Sequence, residues 1–240
     1  MDSRKILDVL DLTLLDHGAR EGTLRELCEM ANQNLPAAVC IFAEHAQMVG
    51  SMLDDRIALA VVAGGFPIGS PSPEEIAEGI EKAISLGAEE VDCVLEPRED
   101  EGFPDENELA KLIAMREASQ GCRLKVIVES PLLEERALRA VTRMTLATGA
   151  DFVKTCTGRR GDCSDEDARV MASEVNRHFV SFGERRGVKL SGGISTKSDA
   201  EGLIGIVQSV DESITGPERL RVGSSSLLGE LAGNGGLGRN

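Results

Sequence analysis

Short apolar runs return at intervals along this chain of 240 residues, each separated from the next by a stretch of helical periodicity. The expected strands are AAVCIFA (37–43), IALAVVAG (57–64), EVDCVLE (90–96), RLKVIVE (123–129), DFVKTCT (151–157), GVKLSG (187–192) and LRVGSS (220–225). VLDLTLL (9–15) offers an eighth, ahead of the helical TLRELCEMANQ. In PEEIAEGIEKAISLGA (73–88), Ile76, Ile80 and Ile84 share a face, and Pro73 with two glutamates marks a first turn. ENELAKLIAMREAS, LEERALRAVTRMTLATGA and SDEDARVMASEVNRHFVSFG behave alike, with Ser164 placed as a helix cap. Strands apolar throughout are buried on both faces, and intervening helices make neighbouring strands parallel. Eight such units in this length make a (β/α)8 TIM barrel, an α/β fold; a doubly wound open sheet is the alternative. No internal linker interrupts the pattern, so one domain over 1–232 is expected, followed by a disordered Gly-rich tail over 233–240. Gly233, Gly235 and Gly238 in that tail formally match GxGxxG, but with no helix to follow they carry no nucleotide-binding reading.

The core must rest on Leu, Ile, Val and Ala, because the chain has no Trp, no Tyr and only 6 Phe. A formal net charge of −15 disfavours nonspecific contact with nucleic acid or an anionic membrane surface. No apolar run approaches the ~18 residues of a membrane span, and MDSRKILDVL lacks the sustained apolar segment of a signal peptide. Six cysteines in a chain this long read as free thiols rather than staples; Cys40, Cys93 and Cys156 fall in expected strands as small apolar residues. A reducing cytoplasm is the expected location. His17, His45 and His178 show no metal-ligand spacing, so no metal site is expected.

Charged residues stand inside strands that should be apolar. Asp92, Lys154 and Lys189 lie near the C-terminal ends of their strands, where a barrel builds its active site, and Lys125 lies nearer the start of its own. Each alone reads equally as a structural ion pair or an outward-facing residue. Together they say more: Lys154 and Lys189 are one βαβ step apart and should be neighbours. Two lysines at one level, with a carboxylate nearby, should depress each other's pKa. A partly neutral lysine attacks carbonyls to form a Schiff base, while the second lysine stays protonated and the carboxylate supports proton transfer. Glycines follow the late strands at Gly158, Gly192, Gly193 and Gly223, the last ahead of Ser224, Ser225 and Ser226. Such loops bind phosphate through backbone N–H groups or are simply tight turns.

Six segments together resemble the deoxyribose-phosphate aldolase family of class I aldolases: DLTLL (11–15), GAEEVDCV (87–94), LKVIVES (124–130), GADFVKTCTG (149–158), GVKLSGGIST (187–196) and VGSSSLL (222–228). The resemblance spans roughly residues 6–232 and implies a (β/α)8 barrel that cleaves 2-deoxyribose 5-phosphate to acetaldehyde and glyceraldehyde 3-phosphate, reversibly and with no cofactor. It implies Lys154 as the Schiff-base lysine, Lys189 as the lysine that keeps it reactive, and Asp92 in the proton relay. Phosphate contacts carry over to Gly158, Gly192, Gly193, Gly223 and Ser224, with Ser225 beside them. Lys125, Asp11 and Thr157 are implied as supporting residues behind the reacting groups. Family members are often dimers or tetramers, and a homodimer is expected here, with a small sugar phosphate as the other partner.

Three departures from the family pattern stand out. The glycine-rich stretch commonly reads GGxRT but here reads GGIST, placing Ser195 where an arginine is usual; Arg159 is positioned to compensate. KTSTG has become KTCTG through Cys156, and the C-terminal tyrosine of some members has no counterpart. Two other readings keep the same scaffold: a Schiff-base lyase for another aldehyde or 2-keto acid, and a non-catalytic sugar-phosphate binder.

Overall fold

A computed structural model of the chain describes residues 1–98 and 102–232. The expected tail over 233–240 lies outside the described residues. Eight parallel strands close into a barrel in sequence order: β1 (Leu10–Leu14), β2 (Ala38–Phe42), β3 (Ala58–Ala63), β4 (Glu90–Val94), β5 (Arg123–Ile127), β6 (Phe152–Lys154), β7 (Gly187–Ser191) and β8 (Leu220–Ser224). The eighth strand suggested by VLDLTLL is β1, and it completes the ring by pairing with β8. All eight strands pair with parallel neighbours, so the open-sheet alternative fails at the closing β1–β8 ladder.

Helices cover the outside of the barrel for local reasons. The helix Pro73–Ser85 starts where the Ser72 side chain accepts from the Glu75 N–H, and it buries Ile76, Ile80 and Ala83 against the sheet while Ile84 is half-buried. Ser164 caps Asp165–Phe182 with Asp167 in a reciprocal capping box. One expected strand is shorter than its apolar run. β6 stops at Lys154, so Cys156 lies beyond the strand, where its Sγ reaches the Ser191 carbonyl oxygen. All six cysteines are free thiols. No helix of the described residues is long and apolar enough to cross a membrane.

The barrel interior is divided. From β2 and β3 it receives an apolar group, Ala38, Cys40, Phe42, Ala60 and Val62, with Leu15 and Phe66 packed against it. The other strands send charged side chains inward, and these position the site.

Candidate active site

Parallel pairing sets the level of each inward residue. Lys154 on β6 is in register with Lys189 on β7, and Asp92 on β4 is in register with Lys125 on β5. Side chains on one face of a strand recur every second residue, so Glu90 lies one layer below Asp92. Across the ring, Asp11 on β1 is level with Gly223 on β8, and Lys189 is level with Arg221.

These groups form one buried ladder of charge. Asp92 Oδ2 receives Lys154 Nζ at 2.8 Å and Lys189 Nζ at 2.6 Å. Lys189 also reaches Asp11 Oδ2 at 2.5 Å. Lys125 Nζ lies 2.8 Å from Asp11 Oδ2, 2.5 Å from Glu90 Oε2 and 3.2 Å from Asp92 Oδ1. Arg221 closes the lower end, with Nη1 at 2.5 Å from Asp11 Oδ1 and Nη2 at 2.7 Å from Glu90 Oε1. Buried charge is tolerated only when paired and hydrogen-bonded, which is why these groups occur together or not at all.

The electrostatics correct one expectation. Lys189 was expected to lower the pKa of Lys154 by repulsion. Burial is the largest influence and pushes the Lys154 ammonium toward losing its proton, but the charge and hydrogen bond of Asp92, with Cys40 beside them, together turn the balance and raise its pKa above the ordinary lysine value. The carboxylate lies between the two lysines and serves both, so their charges meet through it rather than face to face. Burial acts to raise the pKa of Asp92, yet Lys125, Lys154 and Lys189 hold it below the ordinary carboxylate range. Asp11 is held well below that range against burial by Lys125, Lys189 and Arg221. In the resting site the proton therefore stays on the lysine, and any reaction of the amine must include its removal.

Above Lys154 the C-terminal ends of β1, β6, β7 and β8 open into a cavity of about 530 Å³. Lys154 lines its floor, and Gly158, Arg159, Gly192, Gly193, Gly223, Ser224 and Ser225 line its walls with Thr13, Asp16, Ser191 and Ser195. Every phosphate-contact position implied by the resemblance thus faces one space. Thr157 lines that space too, where it was expected behind it. Lys189, Asp92, Lys125 and Asp11 are fully buried and do not line the cavity themselves.

Several walls owe their shape to glycine. Gly192 has φ +92°, and a Cβ there would come within 2.4 Å of Cys156 Sγ. A side chain at Gly223 would crowd the Lys189 stem, whose Cε would be 3.3 Å away. Gly223 thus makes room for the second lysine as well as lining the cavity. The Ser224 hydroxyl donates to Ile194 O at 2.7 Å and accepts from the Leu227 N–H, so it ties two loops together. Arg159 is fastened across the mouth by its Nη2 bond to Leu15 O at 2.8 Å. The Ser195 N–H and hydroxyl both turn to Asp199 Oδ2.

Sequence reading missed three groups that shape the site. Glu90 and Arg221 were readable as further charges in apolar strands, each two residues from a position already singled out. Glu129, next to last in LKVIVES, has a left-handed backbone (φ 51°), and its fully buried carboxylate accepts the Thr157 N–H at 2.8 Å. It thereby fixes the loop that follows Lys154. Only a fold shows that, since nothing in the local pattern distinguishes Glu129 from a surface charge.

Residues 9–217 match the family described as DeoC/LacD family aldolase. The chain is 35% identical to the deoxyribose-phosphate aldolase of Halalkalibacterium halodurans over 84% of its own length and 88% of the relative's. It is 34% identical to that of Clostridium novyi, over 81% and 86%. Among solved structures, the deoxyribose phosphate aldolase from Aeropyrum pernix superposes with a TM-score of 0.80 at 24% identity, covering 96% of this chain and 91% of that one, which speaks to the fold. With a match over most of the barrel and a buried lysine pair at the mouth of its late strands, the chain belongs to the DeoC/LacD family of aldolases.

Proposed function

We propose that this protein is a class I aldolase that cleaves 2-deoxy-D-ribose 5-phosphate to acetaldehyde and D-glyceraldehyde 3-phosphate, reversibly, through a Schiff base on Lys154. The observation that carries the proposal is a single lysine amine at the floor of a loop-walled cavity, hydrogen-bonded to a carboxylate that a second lysine shares. The names of the relatives supply the substrate; the arrangement of charges supports the chemistry.

Lys154 first gives up its proton toward the cavity it lines, while Asp92 Oδ2 at 2.8 Å holds the amine in place. The freed amine attacks C1 of the open-chain sugar, and loss of water leaves an iminium. Removal of the C3 hydroxyl proton lets the C2–C3 bond break, its electron pair passing into the iminium to make an enamine, and the three-carbon aldehyde phosphate departs. Protonation of the enamine at C2 and hydrolysis release acetaldehyde and restore the amine. Asp92 belongs to the relay that moves these protons, and Lys189 holds the same carboxylate oxygen at 2.6 Å. The apolar half of the barrel, from Cys40 to Phe66, keeps the surroundings poor in polar groups and strengthens each of these interactions. Turnover of 2-deoxyribose 5-phosphate, with acetaldehyde and borohydride adding one ethyl group at Lys154, tests the reading. Labelling at another lysine, or turnover with no label, would remove the mechanism.

The phosphate is received by the loops carrying Gly158, Gly192, Gly193, Gly223, Ser224 and Ser225, with Arg159 as the cation on their rim. Without an arginine at position 195, one charge-assisted contact of ~1.5–3 kcal/mol is missing. Phosphorylated substrate should still be preferred over free deoxyribose, by a smaller margin than in relatives with the arginine. Ser195→Arg should lower KM for the phosphorylated sugar about tenfold and leave the free sugar unchanged. Arg159→Ala should raise KM for the phosphorylated sugar alone. Equal kcat/KM for both sugars, unmoved by either substitution, would show that phosphate is not recognised and would favour an aldehyde lyase of another substrate. A homodimer is the assembly proposed in solution, checked by light scattering of the full chain.

A further inference from the structure

The ladder beneath Lys154 continues well past the reacting groups. Its lower end is Glu90 and Arg221, both 1% exposed. Arg221 Nε is pinned to Pro217 O at 2.6 Å, and its guanidinium lies 5.7 Å from the Phe152 ring centroid. Neither residue lines the cavity that holds Lys154. They are nonetheless bound to it through an unbroken series of ion pairs: Glu90 and Arg221 to Lys125 and Asp11, Asp11 to Lys189, Lys189 to Asp92, Asp92 to Lys154.

The charges of this ladder have a definite sum. Its buried carboxylates are Asp11, Glu90 and Asp92; its buried cations are Lys125, Lys154, Lys189 and Arg221. With every group ionised there is one cation in excess. With Lys154 neutral, three carboxylates meet three cations. Of the other charged groups nearby, the fully buried Glu129 at the end of the β5 run has its own cation in Arg160, 3.8 Å away, and the rest leave the count unchanged. Cys40 from β2 is a thiol whose pKa burial and Asp92 raise to about 11. Arg123 from β5 pairs with Glu90 at 2.6 Å but is a quarter exposed, and Asp16 and Arg159 stand on the open cavity.

We propose that Glu90 and Arg221 are positioning residues for the reaction: from the lower end of the barrel interior they hold the buried ladder at the charge where release of one proton from Lys154 leaves it balanced. The proposal rests on Lys154 being the Schiff-base lysine. Removing Arg221 leaves the ladder balanced with Lys154 still charged, so its ammonium becomes harder to deprotonate. Removing the charge of Glu90 leaves two excess cations, so the ammonium becomes easier to deprotonate. A role in packing alone predicts damage from both changes and no difference in sign.

The experiment is the pH profile of kcat/KM for 2-deoxyribose 5-phosphate, whose acid limb reports ionisation in the free enzyme. Borohydride trapping of acetaldehyde at Lys154 is run alongside on each protein. Arg221→Met should move the acid limb up by about one pH unit, and Glu90→Gln should move it down by about as much. Arg221→Lys keeps the charge while losing the two-pronged contact, so its limb should stay at the wild-type position. The double variant Arg221→Met with Glu90→Gln has one excess cation, as in the wild type, and should return the limb toward its original place. If Arg221→Met does not fold, Glu90→Gln and the double variant carry the test, because the latter removes a buried pair together rather than stranding one member. Shifts of the same sign, no shift, or a double variant displaced as far as Glu90→Gln would overturn the proposal while leaving the trapped imine, and so the aldolase reading, intact. A wild-type enzyme that turns over without an imine at Lys154 would overturn both.

Discussion

Lys154→Arg should lower kcat/KM for 2-deoxyribose 5-phosphate by about 10⁴-fold or more and abolish borohydride-dependent labelling by acetaldehyde. A guanidinium stays protonated under all usable conditions and has no amine to offer a carbonyl. The choice of arginine matters because it preserves the positive charge opposite Asp92. The carboxylate at 2.8 Å thus keeps all three of its cations, Lys189 and Lys125 among them. Loss of activity with an unchanged melting transition therefore isolates the chemistry from the fold. Residual turnover within tenfold of wild type would mean that the nucleophile lies elsewhere.

Asp92→Asn should separate two steps that the wild type performs together. The Asp92 carboxylate is what keeps the pKa of Lys154 above its ordinary value against burial. Without it, burial and the nearby Lys125 charge both favour the neutral amine, so the folded-state pKa falls. Imine trapping should then extend to lower pH than in the wild type. Turnover should nonetheless fall by ~10²–10⁴, the usual loss when a positioned acid–base group is removed. Lys189→Leu acts in the opposite sense: it leaves Asp92 to Lys154, raises the pKa of the ammonium, and moves the acid limb upward. Asp92→Asn should also destabilise the protein, since Lys189 and Lys125 lose a buried counter-charge. The wild-type contribution of Asp92 is present above its unfolded pKa and is lost as pH falls through its depressed folded value. If trapping and turnover were lost in parallel at every pH, Asp92 would be needed to form the imine rather than to move protons after it.

Much of the architecture was legible because it depends on short-range pattern. Apolar runs such as IALAVVAG and amphipathic stretches such as 73–88 declare strand and helix within a few residues, and their alternation leaves few topologies for eight units. The inward charges were legible for a related reason: an ionisable side chain in an apolar strand must find partners, so Asp92, Lys154, Lys189 and Lys125 announced a site before any fold was known. The weakest strand, β1, was readable only as a suggestion. Its place is settled by ring closure, which brings residue 11 within 2.5 Å of the Arg221 side chain, 210 positions along the chain.

What the sequence settled through periodicity and the cost of burying charge was the run of strand–helix units and the charges set inside them; the roles of the lysine pair and of the phosphate loops came with the family resemblance of its motifs, and an open sheet stayed an alternative. Only the tertiary structure decided which charge faces which. The spacing of Lys154 and Lys189 suggested mutual repulsion, whereas closure of the ring places Asp92 between them and leaves Lys154 protonated at rest. The reach of the ladder to Glu90 and Arg221, and the hold of Glu129 on the loop after Lys154, were likewise decided there. The physical reason is that secondary structure responds to neighbours a few residues away. A proton's affinity in a dry interior responds to every charge within several ångströms, whatever its distance along the chain.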